Sequence, residues 1–274
     1  MPIAPTLRCP CGERVLQSAA VYDAPPDGET RFNLGAQPYR RAYRSCAVCG
    51  HWFGQHELDL SCLYDREYVD ATYGGADGMR RRFAALMALP HARSDNRGRV
   101  ARVLAFARER GIDAATRSRV LDVGAGLGVF PAAMAEAGWH AVALEPDLRT
   151  VEHLGSVAGV EAMATGLLHV DPAHGLFDAV TFNRVLEHVE DPLESFVAAS
   201  RLIGPRGFVY VEVPDVAAAA EGQEREEFFI EHHHVFSPAS LAMLAERAAL
   251  SVAVLERLRE PSGKFTLRLF AVTG

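Results

Sequence analysis

Four short runs in this chain carry side chains suited to chemistry. In the first, Val120-Leu121-Asp122-Val123-Gly124-Ala125-Gly126-Leu127-Gly128, an apolar stretch ends in an acid and glycines follow at alternate positions. Glycine has no Cβ and reaches positive φ, so such a turn lets backbone N–H groups approach a ligand closely. A P-loop would need Gly-Lys-Ser/Thr, which is absent, and a dinucleotide turn G-x-G-x-x-G places its third glycine one residue later than here. In the second run, His140-Ala-Val-Ala-Leu-Glu145, a carboxylate at a strand end can accept both ribose hydroxyls of an adenosyl ligand. The third is Glu231-His232-His233-His234. The fourth is a pair of cysteine couples, Cys9-Pro-Cys11-Gly12 and Cys46-Ala-Val-Cys49-Gly50.

The histidine run is internal, so it is not an expression tag. Imidazole titrates near neutral pH, and an adjacent acid can orient it or raise its pKa. Alternate residues of an extended segment share a side, which puts His232 with His234. Three readings follow: a site histidine acting as a base, a metal site with Glu231 as third ligand, or histidines that pack or face solvent. As a base, His232 would titrate in the ordinary imidazole range, roughly 6–7.

The cysteine couples suit tetrahedral Zn²⁺ held by four thiolates, Cys9, Cys11, Cys46 and Cys49. Glycine after a cysteine lets backbone N–H groups turn toward sulfur. The first couple is one residue shorter than C-x₂-C, which leaves His51 or His56 as a replacement ligand. Reduced, partly buried thiols are the alternative. Cys62, the fifth cysteine, reads as a packing residue.

These residues need elements to position them. Strands are expected near 120–123, 140–144, 160–163, 179–182 and 207–213, and helices near 128–137, 147–155 and 192–202. This alternation predicts a doubly wound α/β sheet. A helix from Pro238 to Ala249 with Ser237 as cap follows, then strands over Leu250–Leu258 and Phe265–Val272. Upstream, Gly78 to Leu89 has helical spacing. Ser94 caps a helix from Asp95 to Arg110 that ends at Gly111 and buries Val100, Val103, Leu104 and Ala107. Tyr64, Tyr68 and Tyr73 precede it and read first as packing residues. Between the cysteine couples the sequence reads as a polar, Pro/Gly-rich stretch.

The chain has 274 residues, 49% hydrophobic, enough for one catalytic domain plus a small addition. We expect residues 1–62 to form a cysteine-rich zinc-binding subdomain, 63–112 a helical connector covering the site, and 113–274 the catalytic domain. No apolar run approaches the roughly 20 residues of a membrane span, and the N-terminus is no signal peptide, so the expected location is cytoplasmic. A net charge of −7 argues against a nucleic-acid surface. Residues 80–119 hold eleven arginines against three acids, but the whole chain has a single lysine, Lys264, so arginine stands in for lysine throughout. That segment reads as a solvated helix face or, alternatively, an anion-binding surface.

Taken in order, the glycine turn, Glu145, the run Phe177-Asp178 to Leu186-Glu187-His188-Val189-Glu190-Asp191-Pro192 and the strand Gly207–Pro214 resemble four motifs of class I S-adenosylmethionine (SAM) methyltransferases. The resemblance implies a Rossmann-like, doubly wound, seven-stranded sheet. It implies SAM contacts from Asp122, Gly124, Ala125, Gly126 and Gly128, from Glu145 and Pro146, from Ala164 and Thr165 after the third strand, and from Asn183. Glu231-His232 with Val235-Phe236-Ser237 resembles a motif of deoxysugar C-methyltransferases, which also carry an N-terminal cysteine-rich zinc domain. That likeness implies catalytic roles for His232, Glu231 and His188, with His232 taking the substrate proton. It matches Tyr73 to a tyrosine ahead of the SAM domain, and Pro261-Ser-Gly-Lys-Phe265 to a glycine turn near the site. Phe229 stands where those enzymes have tyrosine, and their second α/β domain has no counterpart before Gly274. The expectation is therefore a SAM-dependent methyltransferase with structural Zn²⁺, acting on a small molecule such as a sugar or nucleotide-sugar by O- or C-methylation. The alternatives are a nucleic-acid methyltransferase, against which the acidic charge and the missing Asn-Pro-Pro-Tyr-type motif count, and a non-catalytic SAM- or nucleotide-binding module.

Overall fold

In the computed structural model, residues 9–13, 15–32, 38–56, 58, 72–113 and 117–274 are described; Cys62, Tyr64 and Tyr68 lie outside them. Three strands come first, β1 (Leu16–Tyr22), β2 (Arg41–Cys46) and β3 (Trp52–His56), then helices α1 (Gly75–Met87) and α2 (Asp95–Glu109). Strands and helices then alternate: β4 (Arg119–Val123), α3 (Val129–Glu136), β5 (His140–Leu144), α4 (Leu148–His153), β6 (Glu161–Met163), β7 (Phe177–Asn183), α5 (Pro192–Ser200) and β8 (Ile203–Pro214). Last come β9 (His234–Val235), α6 (Pro238–Arg247), β10 (Leu250–Arg259) and β11 (Phe265–Thr273).

Seven strands form one sheet in the order β10-β11-β8-β7-β4-β5-β6. Strands β4 to β8 pair parallel, and β11 runs antiparallel between β8 and β10. The parallel strands are near-continuous apolar runs because helices cover both faces. On one face, α2 and α3 bring Val103, Phe106, Phe130 and Met134 against Val120, Phe208 and Phe270. On the other, α5 and α6 bring Phe196, Leu241 and Leu244 against Leu121, Val180 and Leu267. Helix starts are locally encoded: Ser94 accepts the Arg97 N–H at 3.2 Å, Asp191 accepts from Leu193 and Glu194, and Ser237 with Ser240 closes a reciprocal capping box. No helix among the described residues is long and apolar enough to cross a membrane.

The chain crosses the sheet between β4 and β7. To one side of β4 it lays down β5 and β6, to the other β7 and β8. The crevice for a ligand opens at the strand carboxyl ends beside that reversal.

The polar stretch between the cysteine couples contains β1 and most of β2, which the sequence reading did not anticipate. A second, four-stranded sheet runs β1-β2-β3-β9, so a two-residue strand from the C-terminal half completes the N-terminal lobe. Trp52 pairs with Val235 and Phe53 with His234, and Gly54 N–H donates to the His233 carbonyl at 2.9 Å. Buried polar ties reinforce the seam. The Tyr43 hydroxyl reaches the His232 carbonyl at 2.7 Å and that of Phe229 at 3.2 Å, and Glu29, ion-paired with Arg41 at 2.9 Å, accepts the Ile230 N–H at 2.8 Å.

The arginine-rich segment is largely engaged within the fold. Arg99 on α2 and Arg268 on β11 both bind the fully buried Glu212 of β8, at 2.6 and 2.9 Å. Arg102 pairs with Glu256 at 2.8 Å, and Arg97 and Arg110 donate to main-chain carbonyls.

Candidate active site

At the carboxyl end of β4, Gly124, Gly126 and Gly128 all have positive φ, 64°, 51° and 77°. A Cβ on Gly124 would sit 2.8 Å from Val185 Cγ2, and one on Gly128 2.6 Å from Leu154 Cδ2, so side chains are excluded by space as well as by conformation. Gly128 is the N-cap of α3, which places that helix's positive end at the turn. The Gly124 and Ala125 N–H groups donate to the Leu144 carbonyl, at 2.9 and 3.2 Å, which fixes the turn against β5.

Asp122 is buried just before the turn and accepts from Thr181 Oγ1 and Asn183 Nδ2, both at 2.7 Å. Burial pushes its carboxyl up to about 6 against those hydrogen bonds. Asn183 thereby has its amide oriented by β4, while its buried Oδ1 has no hydrogen-bond partner. Glu145, one residue past β5 and followed by Pro146, accepts the Gly126 N–H at 2.6 Å. Burial pushes Glu145 up to about 7, and the Gly126 N–H partly opposes it. Ala164 and Thr165 follow β6, where Thr165 N–H bonds the Met163 carbonyl at 3.0 Å. Tyr73 approaches the turn from α1's side: a Cβ on Gly126 would lie 3.5 Å from its hydroxyl. The residues expected at the cofactor thus lie at or just past the carboxyl ends of β4, β5, β6 and β7, with Tyr73 against the turn.

The histidine run is arranged differently from the expectation. A turn, closed by His232 N–H to the Phe229 carbonyl at 3.0 Å, replaces the extended segment, so His232 and His234 face opposite ways. His234 is fully buried, its Nδ1 2.9 Å from Nε2 of His51, whose Nδ1 lies 3.1 Å from Ser240 Oγ. His232 instead meets His188, ring centroids 4.9 Å apart. Its ring is oriented by the Glu227 carbonyl, 3.0 Å from Nδ1, and not by the Glu231 carboxylate. Glu231 holds His188 through its main-chain carbonyl, 2.9 Å from Nδ1, while its carboxylate Oε2 is buried without a hydrogen-bond partner. A carbonyl only accepts, so both Nδ1 atoms carry a proton, and in the neutral ring of His232 Nε2 carries the lone pair. Burial, then the charge of His188, hold His232 well below the ordinary imidazole range. The sequence-based expectation of 6–7 was therefore too high.

Sequence reasoning did not nominate Glu187. It is 1% exposed, neither carboxylate oxygen has a hydrogen-bond partner, and its carboxyl is pushed up by burial. A carboxylate oxygen of Glu187 and ring nitrogens of His188 and His232 all lie within 4.8 Å of one another. Its place in the Leu186-Glu187-His188 run was the available signal.

Cys9, Cys11, Cys46 and Cys49 converge, with Sγ atoms all within 4.8 Å; Cys9–Cys49 is 3.3 Å, Cys9–Cys11 3.2 Å and Cys11–Cys46 3.8 Å. A tetrahedron of Zn–S bonds near 2.3 Å has edges of about 3.8 Å, so the donor set and spacing fit a metal ion. Main-chain N–H groups of Cys11, Glu13 and His51 bond the sulfurs of Cys9, Cys11 and Cys49. His51 is committed to His234 and Ser240, and His56 Nδ1 faces the Leu58 carbonyl at 3.2 Å, so neither belongs to the cluster. The cluster is tied to the catalytic half: Ser237 Oγ donates to the Cys49 carbonyl, and Arg247 to those of Cys9 and Pro10.

Known proteins match parts of this chain. Ubiquinone biosynthesis O-methyltransferase of Shewanella halifaxensis (strain HAW-EB4) is 28% identical over 152 residues, 48% of this chain and 63% of that protein. Its namesake from Xanthomonas campestris pv. campestris (strain B100) is 35% identical over 109 residues, 38% and 46% respectively. The chain thus spans less than two thirds of the length of these curated relatives. Two solved structures share the fold. 1,6-Didemethyltoxoflavin-N1-methyltransferase of Burkholderia thailandensis, with bound 1,6-didemethyltoxoflavin and S-adenosylhomocysteine, superposes with a TM-score of 0.57 at 19% identity, over 92% of this chain and 100% of that one. Magnesium protoporphyrin IX methyltransferase of Synechocystis PCC 6803, with bound S-adenosylhomocysteine, gives 0.55 at 17% identity, over 76% and 98%. A family model described as a methyltransferase domain matches residues 91–253, more than half of the chain and the stretch that holds the glycine turn, Glu145 and both site histidines. With the seven-stranded order and the β4 turn, that match makes this chain a member of the class I SAM-dependent methyltransferase family.

Proposed function

We propose that this protein transfers a methyl group from SAM to a small hydroxylated acceptor, a sugar or nucleotide-sugar, at oxygen or carbon, with His232 as general base. The observation that carries the reading is that Val185, packed against Gly124 of the turn after β4, accepts the His188 main-chain N–H on its carbonyl, so the turn and the His188–His232 pair are one residue's contacts apart. SAM, when bound, supplies a methyl group already activated on a sulfonium, so the chain's own work is alignment and proton removal. Gly124, Ala125, Gly126 and Gly128 would cradle the amino-acid end beside Asp122, whose carboxylate accepts the Asn183 amide N–H. Glu145, with Pro146 behind it, would accept the ribose hydroxyls, and Ala164 and Thr165 would border the adenine. Tyr73 would close over the turn. His232 keeps Nε2 as a lone pair for the acceptor's proton, and His188 faces the same space.

In this reading the four cysteines hold one structural Zn²⁺ with no open position. Residues 1–62 form the zinc lobe, 63–112 the cover and 113–274 the catalytic domain. The lobe's task is to fix the Phe229–His234 turn through Tyr43, Glu29 and β9. Kinship to deoxysugar C-methyltransferases is supported by the cysteine cluster and the Glu231-His232 turn.

Titration calorimetry tests the placement. Glu145→Ala should weaken SAM binding by about 1–3 kcal/mol, the scale of lost hydrogen bonds to a charged group. Unchanged affinity would remove Glu145 from the ribose and the proposal's central contact with it.

A further inference from the structure

We propose that Glu187 is a positioning residue for proton removal: its carboxylate is the charge partner of the imidazolium that forms when His232 takes the acceptor's proton. This rests on the reading of His232 as base. The geometry is the starting point. Glu187 lies just past β7, 1% exposed, with both carboxylate oxygens lacking any hydrogen-bond partner. Buried carboxylates are costly unless paired, so a buried one without a partner calls for an explanation. The groups within reach are His188 and His232.

The surrounding charges explain the need. Those facing His232 are His188, Arg184 and Lys264, and each disfavours an imidazolium there. Left to them, His232 would be a reluctant base. The same His188, Arg184 and Lys264 face Glu187 and favour its ionised form, while burial opposes it. Glu231, the other nearby acid, turns its carbonyl to His188. A proton arriving on His232 places a cation beside a carboxylate that no side chain hydrogen-bonds, and the two stabilise each other.

The step balances. The acceptor X–H gives its proton to His232 Nε2 as X forms the X–CH₃ bond. The S–CH₃ bond breaks with its electron pair staying on sulfur, and S-adenosylhomocysteine results. The imidazolium sits beside the Glu187 carboxylate until its proton leaves to solvent. The active form is carboxylate plus neutral imidazole, and the apparent pKa belongs to the pair.

The test is ¹⁵N-histidine NMR on the full chain, with His232 assigned from a His232→Asn spectrum and SAM affinity measured in parallel. Glu187→Gln should lower the His232 titration midpoint by one unit or more, about tenfold in proton affinity, with SAM affinity unchanged. Glu187→Asp, which keeps the charge but withdraws it, should lower it less; it also serves if the glutamine variant does not fold. A merely structural role would leave the midpoint in place, and that result overturns the proposal. A midpoint that shifts on adding Mg²⁺ to the wild type but not to Glu187→Gln would make Glu187 a cation ligand and overturn it too. A wild type that fails to bind SAM would sink the proposed function instead, whatever the histidine does.

Discussion

Glu212→Gln offers a worked test of how the catalytic half is held together. Glu212 is fully buried on β8, and its carboxylate takes Arg99 from α2, Arg268 from β11 and the Tyr210 hydroxyl. Burial alone would raise its pKa, but the two guanidinium groups reverse that and bring it from 4.5 to about 2. A pKa depressed in the folded state stabilises the protein above the unfolded value, and that stability is lost as pH falls toward the folded value. The fall from 4.5 to about 2, at 1.36 kcal/mol per pH unit, is worth about 3 kcal/mol at pH 7. Losing one partner of a buried pair costs about 3–5 kcal/mol, which agrees. Glutamine also relieves Glu260, which burial and the Glu212 charge push up to about 7, so a little is recovered through Arg268. Urea unfolding of both proteins, followed by the fluorescence of the buried Trp139, gives the difference directly. The gap should be about 3 kcal/mol at pH 7, widen slightly toward pH 5 as Glu260 takes up its proton and the relief there disappears, and narrow by about 1.4 kcal/mol per unit below 4.5. Asp122 and Glu145, whose raised values act in the opposite sense, are common to both proteins and cancel. A gap below about 1 kcal/mol, or one indifferent to pH down to 3.5, would refute the argument.

Two further outcomes are expected. Tyr43→Phe removes the hydroxyl that holds the His232 and Phe229 carbonyls while keeping the ring, so it should cost about 1–3 kcal/mol in unfolding free energy and lower kcat with SAM affinity intact; a variant matching wild type in kcat would detach the lobe from the chemistry. Metal analysis should find about one zinc per chain, lost in Cys46→Ser together with hydrogen-exchange protection of β3 and β9; a zinc-free protein with full protection would leave the cysteines as packed thiols.

What the sequence disclosed follows from how local the causes are. The β4 turn was readable because glycine spacing writes backbone conformation directly, and the capped starts at Ser94 and Ser237 because the capping atoms lie three residues away. The small sheet was not readable. Its strands alternate weakly, as the mixed burial along Leu16–Tyr22 records, and its last strand exists only through pairing with a distant segment. Arg99 read as a solvated cation because its partner is Glu212, 113 residues on. The histidines were assigned their faces on an extended backbone, and one turn at Phe229–His232 redistributed them. Glu187 was in plain view, but burial without a partner is a property of packing that no run of letters states.

The two-residue strand β9 also bears on the order in which the protein assembles. Synthesis delivers β3 long before His234–Val235, and until then the newly made lobe presents an open strand edge at Trp52 and Phe53. The cysteine cluster draws only on residues near the start of the chain, so a metal ion held there would be captured first and would hold that edge in shape. The final docking of β9 then closes the edge, two residues from His232. A chain stalled before that point would carry a sticky edge that the completed sheet no longer shows, so its exposure to aggregation would end with the pairing of β9.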